Sequence, residues 1–256
     1  MKIEISHNES LKNSVFSKFG PHHLEDRMVL SVPNNTITLE DIGDGKFSYV
    51  RNSDSIIKKI IQTNQTSQIE IAPVLPVHTP SRKTDFFFIR FDESLFIEKN
   101  STMQIEIFIP IEIGIFLITQ DMPSGLDFFS CDPLNSRFGL YGTPEDGRLC
   151  KYYTTSVNEN NTPTPFMHAR FKLTIINELH ESATIGKIVF PVTDHDLYYH
   201  NNETIMDGLQ ATIKNRVGLH VIETIQDPIV KPVDWRFAPR DIEKTDYKFS
   251  MEMGFE

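Results

Sequence analysis

The chain has 256 residues, a hydrophobic fraction of 39% and a formal net charge of −10. This length suits one large or two modest domains, and 19 phenylalanines supply bulky side chains for a sizeable core. The acidic balance and the scattered basic residues disfavour binding to nucleic acid and to anionic lipid. The opening MKIEISHNES lacks the apolar segment of a signal peptide, and no span of about twenty apolar residues exists. We therefore expect a cytoplasmic protein without membrane insertion.

Two cysteines, Cys131 and Cys150, lie in different segments of the chain. Disulfides are uncommon in the cytoplasm, so we interpret both as reduced, buried thiols. No CxxC motif is present, which excludes a zinc ribbon.

The first part of the chain combines short strand patterns with turn signals. Residues 36–41 and 46–51 flank Gly43-Asp44-Gly45 and predict a hairpin. Residues 53–62 carry isoleucines at helical spacing, yet β-branched residues suit a strand as well, so helix and strand both stay open. Further strands are predicted over 28–32, 69–72 and 86–91.

The clearest pattern in the chain is TMQIEIFIPIEIGIFLI, residues 102–118. Every odd position from Met103 to Leu117 is apolar, which is the period-2 signature of strands with one buried face. Pro110 lacks the N–H that a central ladder needs, so the stretch is predicted to break or bend there.

The second half begins with a hairpin of 137–142 and 148–156 around a turn of proline, two acids and glycine. The segment NENNTPTP, residues 158–165, is the most linker-like. Beyond it, polar and apolar residues alternate over the predicted strands 167–175, 204–214 and 216–221. The last two of these are predicted to form a hairpin, with Lys214-Asn215-Arg216 as its turn. Further strands are predicted at 185–192 and 247–253.

Many short strands with turn signals predict an all-β fold, mainly an antiparallel β-sandwich with very little helix. We predict an N-terminal β lobe over 1–157 and a C-terminal β-sandwich lobe over 166–256. One continuous domain is the alternative.

Four segments together resemble an archaeal family known only as domain of unknown function 432. They are IAPVLPVHTP (71–80), FIPIEIGIFL (108–117), RFGLYGTPEDGRLCKYY (137–153) and FSMEMGF (249–255). The resemblance covers most of the chain and implies an archaeal origin, a cytoplasmic setting and no established activity. It assigns no catalytic or binding residue.

The best metal candidate is a loop that contains Asp194, His195, Asp196 and His200. Imidazole and carboxylate groups this close together can hold a divalent cation. No HExxH helix or spaced histidine pair organises them, and loops between strands commonly collect such residues. We therefore predict no bound metal.

Sequence marks of an enzyme are absent. There is no G-x-S-x-G nucleophile elbow, no phosphate-binding P-loop and no Rossmann glycine motif, since Gly43-Asp44-Gly45 lies within a hairpin turn. We expect no cofactor.

The most informative polar set surrounds Glu112, which interrupts an otherwise apolar strand. The following hairpin places Arg137 and Tyr141 on one face, and Arg148 and Tyr152 on one face of its return strand. If these faces meet, the five side chains form a site for an anionic or sugar-like ligand. The alternative, which we favour, is that Glu112 pairs structurally with Arg137 or Arg148. Because the even face of the strand is expected to be partly buried there, we predict that Glu112 contacts at least one arginine or several backbone donors.

These features lead to two hypotheses of function. The first is a non-enzymatic binding or interaction module that uses exposed sheet edges, which also allow a homo-oligomer. The second is a small carbohydrate- or anion-binding protein or enzyme that uses the Glu/Arg/Tyr site.

Overall fold

A computed structural model describes residues 16–63, 67–79, 82–132, 137–157, 162–240, 242–244, 249–252 and 254. These residues form nineteen strands and one 3-10 turn at Val192–Asp194. Most strand pairings are antiparallel, and two are parallel. The prediction of an all-β fold with very little helix is confirmed. Within the described part of the chain, no helix has the length and apolar character of a membrane span.

The strands of the first half are β1 (Gly20–His23), β2 (Arg27–Val32), β3 (Asn35–Gly43), β4 (Lys46–Asn52), β5 (Ile56–Gln62), β6 (Gln68–Val74), β7 (Phe86–Ile97), β8 (Thr102–Pro110), β9 (Glu112–Thr119) and β10 (Met122–Phe129). Those of the second half are β11 (Phe138–Tyr141), β12 (Arg148–Thr155), β13 (His168–Asn177), β14 (Ala183–Pro191), β15 (Leu197–His200), β16 (Glu203–Arg216), β17 (Leu219–Asp227), β18 (Arg236–Phe237) and β19 (Ser250–Met251).

The described residues divide into two compact units. The described residues of the first unit are 16–18, 23–63 and 67, and its sheet has four strands in the order β2-β3-β4-β5. The second unit contains three sheets. Their strand orders are β1-β6-β9-β10, β11-β12-β7-β14 and β18-β15-β16-β13-β8, with β17 beside β16 and β19 beside β17.

The first unit follows from local turn chemistry. Asp44 and Gly45 have φ values of 55° and 68°, the left-handed conformation that a tight two-residue hairpin turn requires. This confirms the predicted hairpin, now β3 and β4. The helical alternative for residues 53–62 is wrong, because β5 pairs antiparallel with β4 along its whole length. The strand preference of β-branched isoleucine therefore prevails over the helical spacing.

The central stretch breaks where proline predicted it. Strand β8 ends at Pro110 and pairs with β13 in one sheet. Strand β9 starts at Glu112 and lies between β6 and β10 in another sheet. The intervening Ile111 donates its backbone N–H to Met167 O at 2.9 Å. Pro110 thus marks the point where the chain passes from one sheet to the next.

The core of the second unit lies between its sheets. The rings of Phe171 in β13 and Phe190 in β14 stack with centroids 5.6 Å apart, and Phe87 in β7 meets Phe190 edge-on. All three side chains are fully buried. Ring pairs of this kind add to the stabilisation that comes from removing apolar surface from water.

Strand pairing also crosses the predicted boundary at 158–165. Strands β7 and β8 precede it and pair with β14 and β13, which follow it. The division into lobes 1–157 and 166–256 stays a prediction, and residues 158–161 lie outside the described residues.

Two predicted details of the second half change. The turn between β16 and β17 is Val217-Gly218, both with positive φ, and not Lys214-Asn215-Arg216, which belongs to β16. The predicted strand 247–253 corresponds to β19, whereas residues 245–248 and 253 lie outside the described residues.

The two thiols generate a first prediction. Cys131 and Cys150 are both buried and form no disulfide, and burial raises the pKa of Cys150 to about 12. Because the thiolate is the reactive form, we expect neither cysteine to react with Ellman's reagent in the native protein. Both should react after unfolding in urea. Labelling of Cys150 at the unfolded rate in the native state would contradict this burial.

Candidate functional site

Glu112 is completely buried at the start of β9. Its carboxylate accepts hydrogen bonds from Thr79 Oγ1 at 2.6 Å, from the backbone N–H of His78 at 2.8 Å and from the backbone N–H of Thr79 at 3.2 Å. Lys151 Nζ lies 3.4 Å from Glu112 Oε1. The carboxylate is therefore both hydrogen-bonded and ion-paired, as a buried charge must be.

The partners of Glu112 are themselves held in place. Lys151 in β12 is 1% exposed and donates to Thr79 O at 2.7 Å. The ring of His78 stacks on Phe128 at 4.3 Å, and its Nδ1 lies 2.9 Å from Leu75 O. The proline-flanked connection after β6 thus folds back over β9 and shields the ion pair from solvent.

Glu112 was predicted to contact an arginine or several backbone donors. The second alternative is confirmed by the backbone N–H groups of His78 and Thr79, whereas the cation beside the carboxylate is Lys151 and not an arginine. The guanidinium of Arg148 instead lies over the ring of Phe86, 4.5 Å from its centroid. Tyr141 and Tyr152 both contact the ring of Phe88 edge-on.

Arg137 is exposed, and its carbonyl accepts from Tyr152 N at 2.9 Å. The hairpin therefore gathers both tyrosines and Arg148 around phenylalanines, while Glu112 is engaged with other residues. A ligand-binding role for these five residues stays a prediction.

The predicted metal loop is occupied by protein groups. The carboxylate of Asp196 accepts from Arg240 and from Lys244 Nζ, the latter at 2.7 Å. His195 is 2% exposed and its Nδ1 lies 3.0 Å from Asp207 O. His200 Nδ1 lies 3.0 Å from Asp234 O.

No group of three or more histidine, cysteine, aspartate or glutamate side chains in the described ranges is arranged to hold a metal. The prediction of no metal stays a prediction. Sequence reasoning missed Arg240, whose guanidinium also donates to the carbonyl oxygens of Thr193 and His195. It lies more than forty residues from its partners, a distance at which local patterns carry no signal.

Strand β5 is a second feature of interest because it lies at an edge of its sheet. Among the described residues it pairs on one side only, with β4. At the opposite edge of the same sheet, Ser17 N–H donates to Ser31 O in β2 at 2.8 Å.

Every second residue of β5 directs its backbone N–H and C=O groups towards β4. Thr63 N–H donates to Gly45 O at 2.9 Å, just beyond the pair Lys46 and Gln62. Inter-strand bonds alternate along an antiparallel ladder, so residues 57, 59 and 61 bond to β4. The backbone groups of residues 56, 58, 60 and 62 point away from the sheet.

The fold and these contacts define an all-β protein of several sheets with a buried ion pair between Glu112 and Lys151. The chain belongs to DUF432, a family described as protein of unknown function, whose model matches residues 18–251. This confirms the resemblance inferred from the four sequence segments. No curated protein and no solved structure matches the chain.

The buried ion pair generates a second prediction. We expect Lys151→Met and Glu112→Gln each to lower the free energy of unfolding by about 3–5 kcal/mol, because each leaves the opposite charge buried without its partner. The double variant should lose less than the sum of the two. Urea melts of all three measure this coupling.

Lys214→Met is a matched control, since Lys214 pairs with Glu223 where both side chains are about one-third exposed. That variant should cost about 1 kcal/mol or less. Equal costs for Lys151→Met and Lys214→Met would contradict a stabilising buried pair.

A third prediction concerns His195. Burial lowers its pKa to about 4, although nearby carboxylates act in the opposite direction. The unfolded chain takes up this proton at about pH 6.5, so His195 lowers stability as the pH falls from about 6.5 to about 4. Its full cost is about 3 kcal/mol, and it contributes no pH dependence above this window.

Urea melts of the wild type and of His195→Gln at about pH 7 and about pH 4.5 isolate this effect from the titration of carboxylates. The wild type should lose more stability than the variant between the two conditions. An equal loss of stability in both proteins would show that His195 takes up its proton between these two pH values in the folded state as well, which would contradict the lowered pKa.

Proposed function

We propose that this protein is a non-enzymatic interaction module that binds an extended, acidic segment of another protein along the free edge of β5. The observation that carries the proposal is the one-sided pairing of β5 among the described residues. An edge strand with unpaired N–H and C=O groups is a template on which a further strand can form.

The side chains of β5 supply apolar contacts for such a strand. Ile56 and Ile60 are 62% and 72% exposed, and they lie on the same face as Lys58 and Gln62. Val50 in β4 is half-buried directly opposite Lys58. An added strand that places apolar side chains on this face would cover both isoleucines.

Charge identifies the kind of segment. Strands β4 and β5 carry three exposed lysines, Lys46, Lys58 and Lys59, and contain no acidic residue. The nearest acids in sequence, Asp44 and Asp54, lie in the turns at either end. This local basic strip occurs in a chain of net charge −10, so an acidic strand is the complementary partner.

The same lysines disfavour a second copy of this chain as the occupant. Two β5 strands that pair about a two-fold axis would place Lys58 and Lys59 of one copy beside those of the other. Like charges on neighbouring strands are destabilising.

The test uses a blocked octapeptide of alternating valine and glutamate, with a valine and lysine peptide for comparison. Hydrogen exchange is followed by NMR. We expect the acidic peptide to slow exchange at the amides of Lys58 and Ile60, while those of Ile57, Lys59 and Ile61 are already protected by β4. Absence of this alternating response, or an equal response to the basic peptide, would overturn the proposal.

Variants separate backbone pairing from charge. Ile60→Pro removes an outward N–H but no bond to β4, so it should abolish binding and leave the fold intact. Ile60→Val is its control. Lys58→Glu should weaken binding about tenfold, whereas Lys99→Glu, the same charge change in an exposed turn, should not. Slow exchange at residues 58 and 60 in a peptide-free dimer would favour self-association instead.

A further inference from the structure

A cleft of about 400 Å³ opens in the second unit between the sheet that contains β6 and the segment 236–240. This volume lies in the range of small-ligand sites. One side is formed by Gln68 and Glu70 of β6 and by Ile118 of β9, and the other by Arg236 and Phe237 of β18. The cleft shares no residue with β5 or with the Glu112 ion pair.

The wall that carries Arg236 is fixed by the protein. Arg236 and Phe237 pair with Tyr199 and Tyr198 of β15, and Ala238 N–H donates to Leu197 O at 2.9 Å. Two residues further on, Arg240 is engaged by Asp196 and by backbone carbonyls. The cleft is therefore preformed, which lowers the entropic cost of binding a ligand.

The opposite side is also oriented. The hydroxyl of Tyr199, a side chain only 1% exposed, donates to Glu70 Oε1 at 2.6 Å. Burial raises the pKa of Tyr199, so this hydroxyl stays protonated as a donor. It holds the Glu70 carboxylate at the cleft and leaves Oε2 without a hydrogen-bond partner among the described residues.

Several polar groups in the cleft have no hydrogen-bond partner among the described residues. Within the described ranges, the guanidinium of Arg236 and the amide of Gln68 make no hydrogen bond or ion pair through their side chains, and Arg236 is exposed. Asp121 adds a second exposed carboxylate from the turn between β9 and β10. The cleft thus offers donors and acceptors of both charges side by side.

An apolar surface lies beside these groups. Ile118 pairs with Gln68 on one side and with Pro123 on the other, and all three line the cleft. The ring of Phe237 packs edge-on against Tyr198 at 5.5 Å, on the opposite face of β15 from Tyr199.

From this combination, we infer that the cleft binds a small neutral saccharide. Sugar hydroxyls donate to the carboxylates of Glu70 and Asp121 and accept from Arg236 and Gln68, while the C–H face of a sugar ring covers Ile118 and Pro123. A simple anion would meet two carboxylates, and a simple cation would meet Arg236. A neutral ligand with many hydroxyls satisfies all four polar groups at once.

Saturation-transfer NMR on the full chain tests the inference. The probes are glucose, galactose, mannose, N-acetylglucosamine, maltose and cellobiose at millimolar concentration, with glycine and glutamate as zwitterionic competitors. We expect saturable transfer to the ring protons of at least one sugar, with no displacement by the amino acids. No transfer to any of the six sugars, or displacement by an amino acid, would overturn the saccharide assignment.

Variants connect the signal to the cleft. Arg236→Met and Glu70→Gln should each weaken binding about tenfold or more, since each removes a central contact. Arg216→Met, at an exposed arginine at the end of β16, is the matched control and should bind as the wild type does. Circular dichroism melts verify folding. Unchanged binding in both Arg236→Met and Glu70→Gln would place the sugar elsewhere and overturn the site.

Discussion

The buried carboxylate of Glu112 is the contact on which the arrangement of the second unit depends. It stands at the first residue of β9, just after the chain has left the sheet of β8. Its partners come from the connection after β6 and from β12, which belongs to a different sheet. Because an unpaired charge is costly to bury, separating these three segments leaves either Glu112 or Lys151 without compensation. The ion pair therefore specifies how the connection and the two sheets fit together.

Among the described residues, polar groups in the interior and at the surface of this protein differ in whether they have partners within the chain. Two buried carboxylates find partners within the chain. Glu112 is engaged by Lys151 and Thr79, and Asp207 Oδ2 accepts from Gln226 Nε2 at 2.6 Å. Two exposed places differ, the outward edge of β5 and the cleft beside Arg236. In both, hydrogen-bonding groups lie next to exposed apolar side chains. Covering such a mixed surface with a partner or a ligand costs less desolvation free energy than covering a purely polar surface, because apolar area is removed from water at the same time.

Much of the fold could be predicted because its signals are local. Strict alternation identified β8 and β9, Pro110 identified their break, and Gly43-Asp44-Gly45 identified a hairpin turn. The burial of Glu112 was predicted from its apolar neighbours, and backbone donors were one of the two predicted kinds of partner, but Lys151 was not predicted. Lys151 lies 39 residues further along the chain, in a strand whose pattern does not distinguish it from Arg148 as a cation for that carboxylate. The turn after β16 was misplaced because Val217 adopts a positive φ that β-branched residues rarely occupy.

The sequence by itself determined that this protein is built from strands, where most of them lie and where the central stretch breaks. These properties depend on side-chain period, on proline and on turn residues, all of which act within a few positions. The tertiary structure alone decided which strands are neighbours, including the parallel pairs β7 with β12 and β13 with β16. It also decided that β5 is an edge and that Arg236 faces a cleft with Glu70. Such placements depend on contacts between segments far apart in the chain, and local periodicity is the same whichever partner a strand acquires.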